Sequence, residues 1–145
     1  MQSSESFIVA DEMLKIPADG YVTKVHAWIS QCTNDDLFFL IMSKPQFSDD
    51  GQKYQIKCRI KAPPCTQSNY KMTIDMYNIA EDCKVNHGDI LGLSSRGSGM
   101  QQVSYDIVEG YQSFLLDPFL TKLGDAFHRK YSIGFTFQNH PANCN

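Results

Sequence analysis

Apolar and polar residues alternate in short segments along most of this sequence, and turn residues bound each segment. The cleanest case is residues 54–61, where Tyr54, Ile56, Cys58 and Ile60 alternate with polar neighbours. A period of two places successive side chains on opposite faces of a β-strand, whereas an amphipathic helix has a period near 3.6. The same alternation recurs in residues 21–30, 70–77, 101–107 and 131–138. Because no long amphipathic helix competes with these segments, the sequence predicts an all-β protein.

A tight turn followed by a buried strand lies near the middle of the chain. Gly88 adopts a positive φ without steric cost, and Asp89 can hydrogen-bond the backbone just ahead of it. Ile90, Leu91 and Leu93 follow, and Gly92 between them indicates a close approach of another chain segment. Residues 37–42 are all apolar, which is typical of a central strand covered on both faces.

The number and spacing of these segments predict the architecture. We expect eight or nine strands at spacings of roughly ten to fifteen residues, forming an antiparallel two-sheet β-sandwich. A jelly roll is the preferred topology and an immunoglobulin-like sandwich the alternative, since Trp28 precedes every cysteine and the Cys…Trp…Cys order is absent. A single domain is expected over residues 1–145, with its core in residues 7–138 and a tail or linker in residues 139–145.

Length and composition exclude several classes of protein. A chain of 145 residues with 42% hydrophobic residues can bury a substantial core. Its net charge of −3 argues against nucleic-acid binding, and no apolar run approaches the ~20 residues of a membrane-spanning helix. Residues 1–6 are polar and do not resemble a signal peptide, so we interpret the chain as a mature ectodomain fragment.

The number and spacing of the cysteines indicate the redox environment of the protein. Five cysteines without a CxxC spacing favour two disulfides and one odd thiol in an oxidising, extracellular environment. The alternative is five reduced cysteines in an intracellular domain. Cys65 and Cys83 bracket the strand at residues 70–77, and we predict that they form one of the disulfides.

Three segments resemble extracellular jelly-roll modules of the carbohydrate-binding and adhesion type. They are residues 19–25, the apolar strand that ends at Lys44 and Pro45, and residues 85–93 with Gly88 and Asp89. The resemblance covers residues 7–138 and implies a secreted or cell-surface location. Gly88, Asp89 and residues 114–116 are also similar to complement-type and tumour-necrosis-factor-like jelly rolls. Those chains end near the second motif, whereas about thirty residues follow it here, so neither their trimeric state nor their receptor-binding residues are transferred.

No catalytic motif stands out. The sequence contains no GxSxG, HExxH, P-loop or GxGxxG pattern, and no spacing places an activated cysteine beside a histidine. Paired carboxylates of a glycosidase need no linear motif, so a hydrolase stays open as the less favoured alternative. Residues 34–36 and Asp49 with Asp50 carry oxygen ligands suited to a structural calcium ion, but Asp and Asn are also ordinary turn residues. We expect no cofactor and no enzymatic activity.

Aromatic residues on strand faces give the best functional signal. Trp28 shares a strand face with Lys24 and His26, opposite an apolar face, and Tyr77 is outward in a later strand. An exposed tryptophan can stack on a sugar ring or anchor a protein interface, whereas a covering loop would make it part of the core. Lys57, Arg59 and Lys61 form a basic stripe, interpreted as edge-strand protection or, alternatively, as a site for an acidic partner.

These observations leave two main classes of function. The first is an extracellular recognition or adhesion module that binds a protein partner at a cell surface. The second is a lectin-like, carbohydrate-binding module, which needs a concave site where a protein binder can use a flat patch. Neither nucleic-acid binding nor membrane insertion is expected, and a homo-oligomer is compatible with either class.

Overall fold

The computed structural model describes residues 5–43, 46–48, 51–75, 84–116, 123–126 and 128–138. These residues form fourteen strands and one 3-10 helix, Gly99–Gln102. In chain order the strands are β1 (Glu5–Lys15), β2 (Gly20–Ile29), β3 (Leu37–Met42), β4 (Gln46–Ser48), β5 (Gly51–Lys53), β6 (Ile56–Lys61), β7 (Tyr70–Asp75), β8 (Lys84–Val85), β9 (Ile90–Arg96), β10 (Tyr105–Ile107), β11 (Ser113–Leu116), β12 (Leu123–Ala126), β13 (Arg129–Tyr131) and β14 (Ile133–Gln138). Within these ranges, no helix has the length and apolar character needed to cross a membrane.

Two antiparallel sheets form the body of the fold. The larger sheet has six strands in the order β12-β11-β1-β9-β3-β6, and the smaller has β14-β2-β7, with β8 also pairing with β2. Two short ribbons, β4-β5 and β10-β13, complete the strand pairs. The all-β prediction is therefore confirmed.

The main core lies between the two sheets. From the larger sheet it takes side chains such as Phe39, Ile41 and Leu93, and from the smaller sheet Val25 and Ile29, each of them fully buried. These residues are the apolar members of strands in which apolar and polar residues alternate. Each sheet therefore has one apolar face, and the two apolar faces pack against each other to form one core. Face-to-face packing of this kind is consistent with a β-sandwich.

A second, smaller core covers the outer face of the larger sheet. In β3 every residue is buried, because Phe39 and Ile41 face the main core while Phe38, Leu40 and Met42 face this second cluster. Strand β5 contacts β12, which lies at the opposite edge of the sheet from β6. The chain that leaves β3 therefore crosses this outer face, which explains the uninterrupted apolar sequence of the strand.

The turn before β9 has the structure that its sequence predicts. Gly88 has φ 89°, and the buried carboxylate of Asp89 accepts a hydrogen bond of 2.8 Å from the backbone N–H of Asn86. Gly92 is needed for packing, since a Cβ there would lie 2.4 Å from Met42 Cε and 2.5 Å from the carbonyl oxygen of Val9.

Several strand boundaries differ from the expectation. The structure has more strands than the eight or nine predicted, because it contains short strands such as the β4-β5 hairpin in a segment that reads as loop. The sequence predicts two short extended segments at residues 7–9 and 13–17, whereas the structure has one strand there, β1. The segment predicted as a strand from residue 101 begins instead within the 3-10 helix, and only Tyr105–Ile107 is extended.

Candidate functional site

Trp28 is held at a junction of three chain segments on the smaller sheet. Its backbone N–H donates to the carbonyl of Ser132 (2.9 Å), and its carbonyl accepts from the N–H of Ser104 (3.0 Å). The N–H of Ser132 also donates to the carbonyl of Ser104 (2.9 Å). Both backbone groups of Trp28 are thus fixed, so the indole projects from a rigid base although its residue is 45% exposed.

The exposed indole lies in a groove of about 390 Å³, which we call the Trp28 groove. Its floor and walls come from β2, β7, β10 and the β13-β14 segment, and its principal residues are His26, Trp28, Lys71, Asp106, Lys130 and Tyr131. Ser132 and Ile133 extend the same wall. The volume falls within the range of small-ligand sites, roughly 300–1,000 Å³. The surface around Trp28 is therefore a shallow, open depression.

His26 is a half-buried part of this groove. It lies opposite Gly134 in the β2-β14 register, and the imidazole occupies the space that a side chain at position 134 would fill. Burial, followed by the positive charge of Lys71, lowers the pKa of His26 below its usual value of 6.5. At neutral pH the imidazole is therefore uncharged, and it offers one hydrogen-bond donor and one acceptor.

Two lysines supply the positive charge of the groove. Lys71 lies directly opposite Trp28 in the β2-β7 register, and Lys130 lies opposite Asp106 in the β10-β13 ribbon. Within the described ranges, neither ammonium group forms a hydrogen bond or a close ion pair, although the charge of Lys130 acts at longer range on the carboxylate of Asp11. Because His26 is neutral, the lining carries these two positive charges and the single negative charge of Asp106.

Of the four residues predicted for ligand binding, the structure brings two together in the groove, His26 and Trp28. Lys24 is exposed on the same face of β2, but it lies opposite Asp75 and does not line the groove. Tyr77 lies outside the described residues, as do Cys83, Asp49 and Asp50.

The basic stripe on β6 lies at the edge of the larger sheet, and its charges are engaged by neighbouring groups. Lys57 Nζ is 2.7 Å from Asp89 Oδ2, and Lys61 Nζ is 3.6 Å from Asp36 Oδ1. Arg59 lies 5.8 Å from the centroid of the Phe38 ring, a cation–π contact. This arrangement fits the edge-strand interpretation, since charged side chains on an edge strand discourage pairing with other chains.

The disulfide at the end of the sandwich joins different cysteines from those predicted. Cys65 is bonded to Cys32 and not to Cys83, with a Cα–Cα distance of 5.4 Å. The pairing arises because the loop after β2 and the loop after β6 meet at one end of the molecule. Cys58 is also disulfide-bonded. These bonds fit the prediction of an oxidising compartment.

A second cavity, of about 480 Å³, opens beside the Cys32–Cys65 disulfide. Residues 34–36, which carry oxygen ligands suited to calcium, line it, but the two carboxylates already have partners. Asp35 Oδ2 accepts from the N–H (2.9 Å) and hydroxyl (2.7 Å) of Ser98, and Asp36 is paired with Lys61 and Arg96. In the described part of the chain, no group of three or more His, Cys, Asp or Glu residues could hold a metal ion. The aspartates therefore act as turn and loop residues here.

Sequence reasoning missed the groove residues outside β2. Lys71, Asp106 and Lys130 come from three other strands, and only the pairing registers bring them to Trp28. The alternation of residues 70–77 places Lys71 outward, which is a signal that could have been used. Lys130 lies directly before the alternating segment 131–138, but nothing local shows that this lysine reaches the strand that carries Trp28.

Comparisons with known protein families, with curated proteins and with solved structures found no match to this chain. The fold and the groove define an all-β, sandwich-like protein with a fixed surface tryptophan beside two lysines, Lys71 and Lys130.

Proposed function

We propose that this protein is a non-enzymatic, extracellular recognition or adhesion module that binds a protein partner through the Trp28 groove. Within the β-sandwich class we assign it to the jelly rolls. The observation that carries the proposal is the exposed indole of Trp28 on a fixed backbone. Tryptophan is the residue type most enriched at binding hot spots, and a rigid anchor loses little conformational entropy when it binds.

The composition of the groove supports binding over catalysis. Its described lining contains one carboxylate, Asp106, whereas the usual glycosidase mechanism needs two carboxyl groups across the scissile bond. The exposed Cys32–Cys65 disulfide supports an extracellular location, since such bonds persist mainly in oxidising compartments.

A lectin-like function is the second candidate, and the concave shape of the groove favours it. Trp28 offers a ring face for the apolar side of a sugar, and His26 and Lys71 offer hydrogen-bond donors beside it. This candidate differs from the first in the chemistry of the ligand and not in the position of the site.

Binding of the tetramerised protein to intact cells tests the proposal. Wild type should stain cells in flow cytometry, and Trp28→Ala should weaken staining by an amount equivalent to about 1–3 kcal/mol. Ile107→Ala is the matched control, because Ile107 is 69% exposed but does not line the groove.

Treatment of the cells separates the two candidates. Trypsin should abolish binding to a protein partner, while enzymatic removal of surface glycans should leave it. Equal staining by wild type and Trp28→Ala would refute the groove as the docking site, and loss of staining with glycan removal alone would favour the lectin.

A further inference from the structure

The lysines of the groove differ from the cations of the basic stripe in their ion-pair partners. On β6, Lys57 and Lys61 are each within 4 Å of an aspartate, and Arg96 on β9 is 3.2 Å from Asp36. Lys71 and Lys130, by contrast, have no ion-pair partner within the described residues. Unlike the basic stripe, the groove therefore presents two cations to a ligand, and both line the depression that contains Trp28.

The two lysines flank the indole from opposite sides. Lys71 belongs to β7 on one side of β2, and Lys130 belongs to β13, which runs into β14 on the other side. Lys130 lies two residues before Ser132, whose carbonyl accepts the hydrogen bond from the Trp28 N–H on that side. A ligand that engages both ammonium groups and covers Trp28 must carry two anionic groups with an apolar group between them.

We infer that the groove binds an acidic segment of the partner, in which an apolar side chain on Trp28 is flanked by two carboxylates. This inference rests on the proposed function and adds the chemistry of the partner. An extended peptide fits, since its residues advance about 3.3 Å each and alternate residues project from one face. A single acidic sugar carries one carboxylate and engages only one of the two lysines.

Asp106 makes one end of the groove less favourable for an acidic ligand, and this effect can be tested. It lies opposite Lys130 and lines the same groove, so its carboxylate repels an acidic ligand at that end. Replacing it by asparagine removes the repulsion and keeps the size of the side chain. Asp106→Asn should therefore strengthen binding, which is a gain that damage to the fold would not produce.

Selection of peptides from a phage-displayed library of random linear sequences, performed on the intact protein, tests this inference. Peptides that bind wild type but not Trp28→Ala should carry an apolar residue with one Asp or Glu residue on each side of it. For a selected peptide, Lys71→Met and Lys130→Met should each lower affinity about two- to fivefold, and Asp106→Asn should raise it about twofold. Lys84→Met, an exposed change on β8 outside the groove, is the control and should have no effect. Raising the ionic strength should weaken binding to wild type more than to the lysine variants.

The outcomes separate this inference from the proposed function. Trp28-dependent peptides without acidic residues, or an affinity unchanged in both lysine variants, would overturn the acidic segment and leave the docking site intact. If no peptide depended on Trp28 while sialylated or sulfated glycans on an array did, the occupant would be a saccharide and the protein partner would be wrong. If neither library bound through Trp28, the docking site itself would be refuted.

Discussion

The imidazole of His26 lies against the backbone of Gly134 on the neighbouring strand. A Cβ at position 134 would come within 2.6 Å of His26 Nε2, closer than any stable contact allows. Gly134 therefore sets the position of His26, and through it one side of the groove that contains Trp28.

Replacing Gly134 by alanine should displace the imidazole without unfolding the protein. We expect a destabilisation of about 1–3 kcal/mol from overpacking, together with weaker binding at the Trp28 groove. Chemical denaturation gives the first quantity, and the NMR shifts of His26 give the displacement. Thr136→Ala, an exposed change on the same strand, is the control. Unchanged His26 shifts in Gly134→Ala would show that the ring does not rest on this glycine.

His26 should titrate below its usual pKa of 6.5, since burial and then the charge of Lys71 disfavour its protonated form. A histidine whose pKa is lowered by folding stabilises the protein fully above the unfolded-state pKa, and this contribution is lost as pH falls through the folded-state pKa. The charged groups that share the groove are Lys71, Lys130 and Asp106. An NMR pH titration should show a higher pKa for His26 in Lys71→Ala than in wild type, though still below 6.5 because burial is the larger cause. A wild-type value at or above 6.5 would contradict this account.

The Cys32–Cys65 disulfide should contribute to stability by closing the loops at one end of the sandwich. The two cysteines are 33 positions apart in sequence, so removal of the bond in the Cys32→Ser, Cys65→Ser double variant should cost about 3–4 kcal/mol. Peptide mapping under non-reducing conditions should recover one cross-linked fragment that contains both residues. A fragment linking Cys65 to Cys83 would instead restore the pairing expected from sequence.

Because β3 is buried on both faces, alanine substitutions at two neighbouring residues should lower the free energy of unfolding by similar amounts. Phe39 faces the main core and Leu40 faces the second core, and both are fully buried. Phe39→Ala should cost about 3–5 kcal/mol and Leu40→Ala about 2–5 kcal/mol in chemical denaturation. If Leu40→Ala cost less than Thr73→Ala, an exposed change on β7, the outer face would not be covered as described.

The sequence predicts those parts of the fold in which local pattern and burial agree. The alternation of β2 and the apolar run of β3 are of this kind, since each residue occupies the face that its polarity favours. Strand β1 reads as two pieces because Asp11 interrupts its apolar residues. Asp11 is buried there, and the hydroxyl of Tyr111, a hundred residues away, donates its hydrogen to the carboxylate from a position 2.9 Å from Oδ1 and 2.8 Å from Oδ2. No local pattern can reveal such a partner.

The site is predictable only to the extent that it lies on one strand. Trp28 and His26 share the polar face of β2, and their spacing of two residues shows this directly. Lys71 and Lys130 reach the groove through strand registers, and Cys32 meets Cys65 through the meeting of two loops. These contacts depend on tertiary pairing, which the period of a single segment does not specify. The predicted pairing of Cys65 with Cys83 rests only on the single strand that these two residues bracket.

The fluorescence of the single tryptophan tests the central claim most directly. Free protein should show emission typical of a partly hydrated indole and efficient quenching by acrylamide, because Trp28 is 45% exposed. A bound peptide selected through the groove should shift the emission to the blue and protect the indole from acrylamide. Emission that is already blue-shifted and resistant to quenching in the free protein would place Trp28 in the core, and the proposed site would not exist.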